Sequence, residues 1–187
     1  MEPIHAAPEN SSEHKLGKSL VEEISGRGEE VIVDLGCGFR KKGNIGIDMT
    51  REETDADLIC QLGFEPIPLG DRTVDKIVCR DFLEHVPKTV YIESDRRIFY
   101  PIIYLMNEIW RILKPGGVFE SMTPCYPYPE VFQDPTHVSV WTKETMKYFS
   151  GGYPGSRIYG VRCQFEIVKR KKKRFYLHAI LRRPADS

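Results

Sequence analysis

Residues 31–49 of the sequence, VIVDLGCGFRKKGNIGIDM, contain two short apolar runs that flank a glycine-rich turn. The β-branched runs Val31–Leu35 and Ile45–Met49 predict two buried strands. A glycine turn after a buried strand is typical of a ligand site, because parallel α/β sheets bind ligands outside the carboxyl ends of their strands. Fewer residues separate the two runs than the roughly twelve of an ordinary parallel crossover. We therefore predict a shortened first crossover without room for a full helix.

The composition is that of an ordinary globular protein with enough residues for one sizeable core. The chain has 187 residues, of which 41% are hydrophobic and 29% are charged, and its formal net charge is zero. No apolar run is long enough to span a membrane and the first residues contain no signal-peptide core, so we expect a cytoplasmic protein without membrane contacts. The five cysteines are scattered and form no CxxC pair. This predicts reduced, buried thiols, and neither disulfides nor a metal site.

Strand-like and helix-like segments alternate along the chain and predict an α/β fold with a mostly parallel sheet. Residues 1–30 are predicted to be an N-terminal lead whose short helix, in KLGKSLVEEI, is capped by Ser11 or Ser12. Residues 31–187 are predicted to form one domain. The other predicted elements are, in chain order, a strand in VDKIVCRD, a helical region that opens at FLEHV and is regular at residues 102–113, a helix stop at KPGG, a strand in GVFESMTP, a short helix at residues 142–150 and a final antiparallel hairpin.

Six consecutive basic residues, Lys169 to Arg174 (KRKKKR), lie between the strand-like segments VRCQFEIV and RFYLHAIL. We interpret the run as the solvated turn of the final hairpin, because no interleaved aromatic residues or second basic patch accompany it. A nucleic acid or an acidic protein that binds this run stays open as an alternative.

The glycine turn and the next strand favour a nucleoside ligand. Asp48 closes the second strand, where its carboxylate can accept two hydrogen bonds from a ribose diol. A dinucleotide motif GxGxxG would need glycine where Lys41 stands, and no phosphate-binding GxxxxGK[ST] motif is present. The ligand expected here is a nucleoside without a pyrophosphate.

The pattern DLGCG, followed by an acidic residue at the end of the next strand, resembles the cofactor loop of the class I S-adenosylmethionine-dependent methyltransferases. The segments PIPLGDRTVDKIVCRDFLEHV, NEIWRILKPGGVFESMTP and DPTHVSVWTKETMKYF are also similar to segments of small, single-domain, type 11-like members. The resemblance implies a Rossmann-like, mostly parallel, seven-stranded sheet with an antiparallel C-terminal hairpin. Its implied cofactor is S-adenosylmethionine, with S-adenosylhomocysteine as the product. The chain departs from the family pattern at Arg40, where a third glycine is common, and in its short first crossover.

Carried over by position, the resemblance implies a set of cofactor-binding residues on the loops after the strands: Asp34, Gly36, Cys37, Gly38, Asp48, Met49, Gln61, Leu62, Arg80, Asp81 and Phe82. Asp34 would orient the amino group of the cofactor, and Arg80, Asp81 and Phe82 would form the wall near its sulfonium.

Candidates for the chemistry follow the later strands. His85 and His137 are candidate general bases, and Tyr126 and Asp134 are candidate substrate residues, with Tyr128 as a second aromatic. His85 could instead pack on the following helix, and Asp134 with Thr136 could simply form a turn.

The function predicted from these residues is methyl transfer from S-adenosylmethionine to an unidentified acceptor. A small-molecule acceptor is favoured over a macromolecule, and the small substrate-side inserts, which leave no dedicated recognition domain, keep an exposed side chain of a larger partner open as well. The alternative is a scaffold or regulatory protein that binds the cofactor without turnover. A nicotinamide oxidoreductase is disfavoured by Lys41.

Overall fold

The structure, a computed structural model, describes residues 11–186, and residues 1–10 of the predicted N-terminal lead lie outside them. The strands are β1 Ile32–Leu35, β2 Ile45–Asp48, β3 Leu58–Ile59, β4 Val74–Arg80, β5 Val90–Ile92, β6 Arg97–Phe99, β7 Leu113–Pro124, β8 Glu166–Lys173 and β9 Tyr176–Arg182. The helices are α1 Ser12–Gly26 and α2 Pro101–Ile112. Short 3-10 helices occupy Leu83–His85, Pro129–Val131, Lys143–Phe149 and Ser156–Tyr159.

Seven of the strands form one sheet in the order β3–β2–β1–β4–β7–β9–β8. The pairs from β3 to β7 are parallel, whereas β9 and β8 are antiparallel and form the C-terminal hairpin. In β1, Val33 pairs with Ile45 on one side and Ile77 on the other, and all three are fully buried. Burial on both faces explains why these strands read as continuous apolar runs. The predicted fold is confirmed, including the first crossover, which contains no helix.

Helix α1 begins where the sequence predicts, because Ser11 caps it by accepting a hydrogen bond from the His14 backbone N–H at 3.2 Å. The helix lies very close to the chain at Pro68. A Cβ atom added to Gly17 would stand 2.1 Å from the Pro68 carbonyl oxygen, so only glycine fits there. Near the other end of α1, Ile24 is buried in the main core.

The segment between β4 and α2 differs from the continuous helical region that we predicted. FLEHV forms only the 3-10 turn Leu83–His85, and the antiparallel pair β5–β6 follows before α2 begins. Pro87 removes a backbone donor after this turn, and a turn with Arg96 in the left-handed region (φ 48°) joins the two short strands. Helix α2, predicted at residues 102–113, is observed at Pro101–Ile112 with the proline in its first turn.

Two further predictions about the ends of elements are wrong. KPGG does not end α2; the helix ends because Leu113 is extended (ψ 136°) and already pairs with Val74, and KPGG lies within β7. The basic run is not a hairpin turn. Its first five residues belong to β8, and the turn is at Arg174 (φ 53°). Strand β8 is an edge of the sheet, where lysines are common because they oppose pairing with another chain.

The remaining expectations concern smaller features. The predicted helix at residues 142–150 is a 3-10 helix, Lys143–Phe149, with a capping box between Thr142 and Thr145. All five cysteines are free and buried, as predicted. Within residues 11–186, none of the helices combines the length and apolar character needed to cross a membrane.

Candidate functional site

The glycine turn after β1 brings the backbone of the first crossover against the end of β4. Gly36 and Gly38 both have positive φ values, 65° and 52°, a region that favours glycine. A Cβ atom added to Gly36 would lie 2.3 Å from the Phe82 ring. The close packing of this turn on Phe82 therefore requires the absence of a side chain at position 36.

Carboxylates hold the first crossover, residues 36–44, in place of the helix that is missing. The buried Asp34 accepts a hydrogen bond from the Lys42 backbone N–H at 2.7 Å. Asp57 accepts one from the Gly46 backbone N–H at 2.7 Å and pairs with the Lys41 ammonium at 2.7 Å. Burial raises the pKa of Asp34, and its hydrogen bond with Lys42 opposes this shift. Asp34, whose side chain is predicted to orient the amino group of a cofactor, thus also stabilises the first crossover.

Asp48 lies at the end of β2, where one oxygen of its carboxylate accepts from the Gly38 backbone N–H at 3.0 Å. The other oxygen accepts from the Met49 N–H at 2.7 Å. Each carboxylate oxygen has a further lone pair for another donor. The half-buried carboxylate can therefore still accept the two hydrogen bonds of a ribose diol.

A cavity of about 140 Å³ lies beside Asp48 and is called the nucleoside cavity below, after the ligand that the sequence predicts. Six of the residues predicted from the sequence line it: Asp48, Met49, Gln61, Leu62, Phe82 and His85. Its other lining residues are Cys60, Phe64, Val86 and Pro87, so most of the wall is apolar. The structure thus brings together residues from the ends of β2 and β4 and the loop after β3. Asp34, Gly36, Cys37, Gly38, Arg80 and Asp81 are not part of this lining.

Next to this cavity, Glu84, His85 and His137 form what we call the histidine cluster. One ligand-type atom from each residue lies within 4.8 Å of those of the other two. The two imidazole rings meet edge to face, with their centroids 4.9 Å apart. The backbone carbonyl oxygen of Glu84 accepts hydrogen bonds from the N–H groups of Val138 and Ser139, both at 2.9 Å. These bonds dock the loop that contains DPTH onto the turn after β4, which explains how residues about 50 apart meet.

Sequence reasoning missed Glu84, although it directly precedes His85. Its side chain is 1% exposed, and its Oε2 accepts a hydrogen bond from the Thr123 hydroxyl at 2.6 Å. Among residues 11–186, its Oε1 has no hydrogen-bond partner. Burial raises the pKa of Glu84, and the hydrogen bond from Thr123 opposes this shift. A glutamate beside a histidine between apolar residues, in FLEHV, is the signal that could have revealed it.

Of the predicted substrate residues, only Asp134 is in contact distance of this cluster among the described residues. Asp134 forms the turn that we gave as its alternative role, since its Oδ1 accepts from the Thr136 N–H at 2.8 Å and hydroxyl at 2.6 Å. Its Oδ2 is 4.0 Å from the Nε2 of His137. Tyr126 and Tyr128 are exposed and line neither the nucleoside cavity nor the second cavity described next.

A second cavity, of about 470 Å³, was not predicted from the sequence. Its wall is largely aromatic: Tyr100, Trp141, Tyr148, Phe149, Tyr153 and Tyr159. The residues come from the start of α2 and from the chain after β7, which are far apart in sequence. One segment contributes to both cavities, since Val86 and Pro87 line the first, and Lys88 and Thr89 line this aromatic cavity.

No protein-family model and no curated protein sequence matches the chain. Several solved structures, in contrast, have a similar fold. The Haloferax volcanii complex of the Trm112 methyltransferase activator with a methyltransferase gives a TM-score of 0.55 at 14% identity, covering 94% of this chain and 99% of that chain. A Sulfolobus solfataricus protein described as a type 11 methyltransferase gives 0.51 at 18% identity, covering 92% and 95%.

The [4+2]-cyclase SpnF gives a TM-score of 0.53 at 15% identity, covering 92% of this chain and 81% of that chain. Proteins of similar fold thus include one described by a chemistry other than methyl transfer, so the fold does not decide the reaction. These likenesses agree with the strand order and the antiparallel C-terminal hairpin. The chain therefore has the Rossmann-like fold of the class I S-adenosylmethionine-dependent methyltransferases.

Proposed function

We propose that the chain is an S-adenosylmethionine-dependent methyltransferase. The observation that supports this most directly is the nucleoside cavity beside Asp48, at the carboxyl end of the parallel strands. The first crossover has no helix whose N-terminus could hold a pyrophosphate, which favours a nucleoside ligand over a dinucleotide. A nucleoside with a short zwitterionic tail fits these features.

In this proposal the two carboxylate oxygens of Asp48 accept hydrogen bonds from the ribose hydroxyls. Met49, Leu62 and Phe82 enclose the adenine, and Gln61 hydrogen-bonds its edge. The backbone of residues 36–38 passes beneath the ribose and methionine portions, where Gly36 and Gly38 permit a close approach. Arg80 and Asp81, at the end of β4, face the methionine end.

Methyl transfer is an in-line displacement in which the acceptor atom bonds to the methyl carbon as the sulfur–carbon bond breaks. The electron pair of the broken bond stays on sulfur and gives neutral S-adenosylhomocysteine. Positioning the two reactants supplies much of the acceleration. Where the acceptor loses a proton, His85 or His137 would receive it; this is supported by the position of His85 in the wall of the nucleoside cavity and by its contact with the ring of His137.

We propose a small molecule as the acceptor. The aromatic cavity supports this, because its volume of about 470 Å³ is in the range of small-molecule sites and its wall is mostly apolar. A nucleic acid or an acidic protein at the basic residues of β8 remains the alternative partner. We also propose a cytoplasmic location, since five free, buried cysteines suit a reducing compartment.

Calorimetric titration with S-adenosylmethionine, S-adenosylhomocysteine and NAD tests the proposal. The wild type should bind the first two and not NAD. Asp48→Ala should weaken binding about 100-fold, because two hydrogen bonds to a charged group are lost. Asp95→Ala, in the turn between β5 and β6, is the matched control and should bind like the wild type. Circular dichroism confirms that both variants are folded.

The outcomes separate the candidate functions. Binding followed by conversion to S-adenosylhomocysteine in an acceptor screen supports the methyltransferase. Binding without turnover across a broad acceptor screen favours the scaffold or regulatory alternative. Failure of the folded wild type to bind either ligand would exclude both.

A further inference from the structure

The histidine cluster contains a buried acidic oxygen without a partner. Glu84 is 1% exposed, and its Oε2 is satisfied by the Thr123 hydroxyl at 2.6 Å. Its Oε1 has no hydrogen-bond partner among residues 11–186 and is 4.0 Å from the Nε2 of His137, too far for a hydrogen bond. Buried polar atoms are nearly always paired, so an orphaned carboxylate oxygen aimed at an imidazole nitrogen points to a missing ligand.

The surroundings of His137 fix which of its nitrogens is free. The Nδ1 atom lies 3.0 Å from the carbonyl oxygen of Val131. A carbonyl only accepts hydrogen bonds, so Nδ1 carries the proton, and in the neutral ring the lone pair is on Nε2. This is the nitrogen that points toward Glu84 and Asp134.

Thr136 likewise fixes which nitrogen of His85 carries the proton. The hydroxyl of Thr136 donates to the Asp134 carboxylate at 2.6 Å, so its oxygen is an acceptor for the Nδ1–H of His85 at 3.0 Å. The lone pair of a neutral His85 is then on Nε2. Histidine ligands of metals characteristically donate the N–H of their other nitrogen to a carbonyl or carboxylate-linked acceptor, as both rings do here.

We propose that Glu84, His85 and His137 form a binding site for a divalent transition metal ion of the zinc type. Two imidazoles and one carboxylate are a ligand set of catalytic zinc and non-haem iron sites, whereas magnesium and calcium prefer oxygen ligands alone. Ligand atoms of a tetrahedral zinc site are about 3.4 Å apart, since each bond is about 2.1 Å long. The 4.0 Å between His137 Nε2 and Glu84 Oε1 would have to contract by about 0.6 Å, and the other separations in the cluster, which are all within 4.8 Å, by at most about 1.4 Å.

The position of the site gives it an accessible side. His85 belongs both to the histidine cluster and to the wall of the nucleoside cavity, so a bound ion would lie at the edge of that cavity. Three protein ligands leave at least one coordination position for water or another oxygen donor. The carboxylate of Asp134, with its Oδ2 4.0 Å from His137 Nε2, is available beside that position. Metal binding here does not depend on the methyltransferase proposal, but it excludes the role of general base for His85 and His137 while the ion is bound, because the ion would occupy their Nε2 lone pairs.

The test is titration of the full chain, first stripped with a chelator, with zinc by calorimetry and with cobalt by visible absorption. We expect one equivalent to bind and a cobalt spectrum typical of four or five ligands. Glu84→Gln and His137→Asn should each weaken binding by at least about 10-fold, since the first removes the negative charge of the carboxylate ligand and the second removes the imidazole ligand. The glutamine can still accept from Thr123, and the asparagine can still donate to Val131, so both variants preserve the local fold.

His178→Asn is the matched control, because His178 also pairs with a glutamate, Glu120 at 2.8 Å, but lies in β9 outside the cluster. It should bind zinc like the wild type. The proposal is overturned if the wild type binds no stoichiometric zinc, or if folded Glu84→Gln and His137→Asn bind it as tightly as the wild type. Neither readout involves S-adenosylmethionine, so failure here is distinct from failure of the proposed methyl transfer.

Discussion

Asp34 and Glu84 are both buried carboxylates close to the carboxyl end of the sheet, but the structure uses them differently. Asp34 lies in β1, and its Oδ2 accepts a short hydrogen bond from Lys42 across the first crossover. Glu84 lies in the turn after β4, and only one of its two oxygens has a partner among the described residues. Burial raises the pKa of both groups.

The difference separates a structural carboxylate from one that is available to a ligand. The first crossover replaces a helix with hydrogen bonds from Lys42, Gly38 and Lys41 to three carboxylates, and these bonds hold the loop. The carboxylates are those of Asp34, Asp48 and Asp57. Around Glu84 the backbone is equally well fixed, but a side-chain oxygen is left open toward His137. Because an open buried acceptor costs free energy, it is expected where function requires it.

The largest effect is expected from adding a side chain to the closely packed first crossover. In Gly36→Ala, the new methyl group would meet the Phe82 ring at 2.3 Å in a residue whose φ is 65°. We expect the free energy of unfolding to fall by about 3 kcal/mol, from overpacking and left-handed strain together. Gly38→Ala has a similar φ of 52° and no atom within 4 Å of the new Cβ, so it should cost only about 1 kcal/mol. If urea unfolding shows that the two variants lose the same free energy of unfolding, contact with Phe82 is unimportant.

The next effect tests whether Asp34 is structural. Asp34→Ala removes the acceptor of the Lys42 N–H, and we expect the free energy of unfolding to fall by about 2 kcal/mol. Asp34→Asn keeps a carbonyl acceptor at this position and should lose about half as much. Stability is measured by urea unfolding, and binding of S-adenosylmethionine by calorimetry. Unchanged stability with weakened binding would instead favour the cofactor role that the resemblance implies.

The sequence predicted those parts of the fold that depend on local patterns. Buried parallel strands produce continuous apolar runs, so β1, β2 and β4 could be recognised, and the short spacing between the first two excluded a helix. The hairpin β5–β6 was missed because strands of three residues in a polar segment have too little periodicity. The basic run was misassigned because a lysine-rich edge strand and a solvated turn have the same composition.

Part of the site could be predicted from strand ends and part only from the family resemblance. Asp48 was predicted because it closes a strand at the carboxyl edge of a parallel sheet, whereas Gln61 and Phe82 were implied by the resemblance; all three line the nucleoside cavity. Glu84 could not be distinguished from an ordinary helical glutamate, since its lack of a partner is visible only in three dimensions. The aromatic cavity escaped notice because its walls come from segments that are distant in sequence.

The smallest expected effect is a gain in stability instead of a loss, and it comes from a substitution at Glu84. In Glu84→Gln the amide oxygen can still accept from Thr123, and a neutral group replaces a buried charge, so we expect stability to rise by no more than about 1 kcal/mol at neutral pH. Because the folded-state pKa of Glu84 is raised, folding favours its protonated form, and the wild type loses stability as the pH rises above the ordinary value of 4.5. The two proteins should therefore be equally stable at low pH and diverge as the pH increases, in urea unfolding with a chelator present. A wild type that gains stability relative to Glu84→Gln as the pH rises would show instead that the ionised carboxylate has a charged partner in the folded protein, and the contrast with Asp34 would disappear.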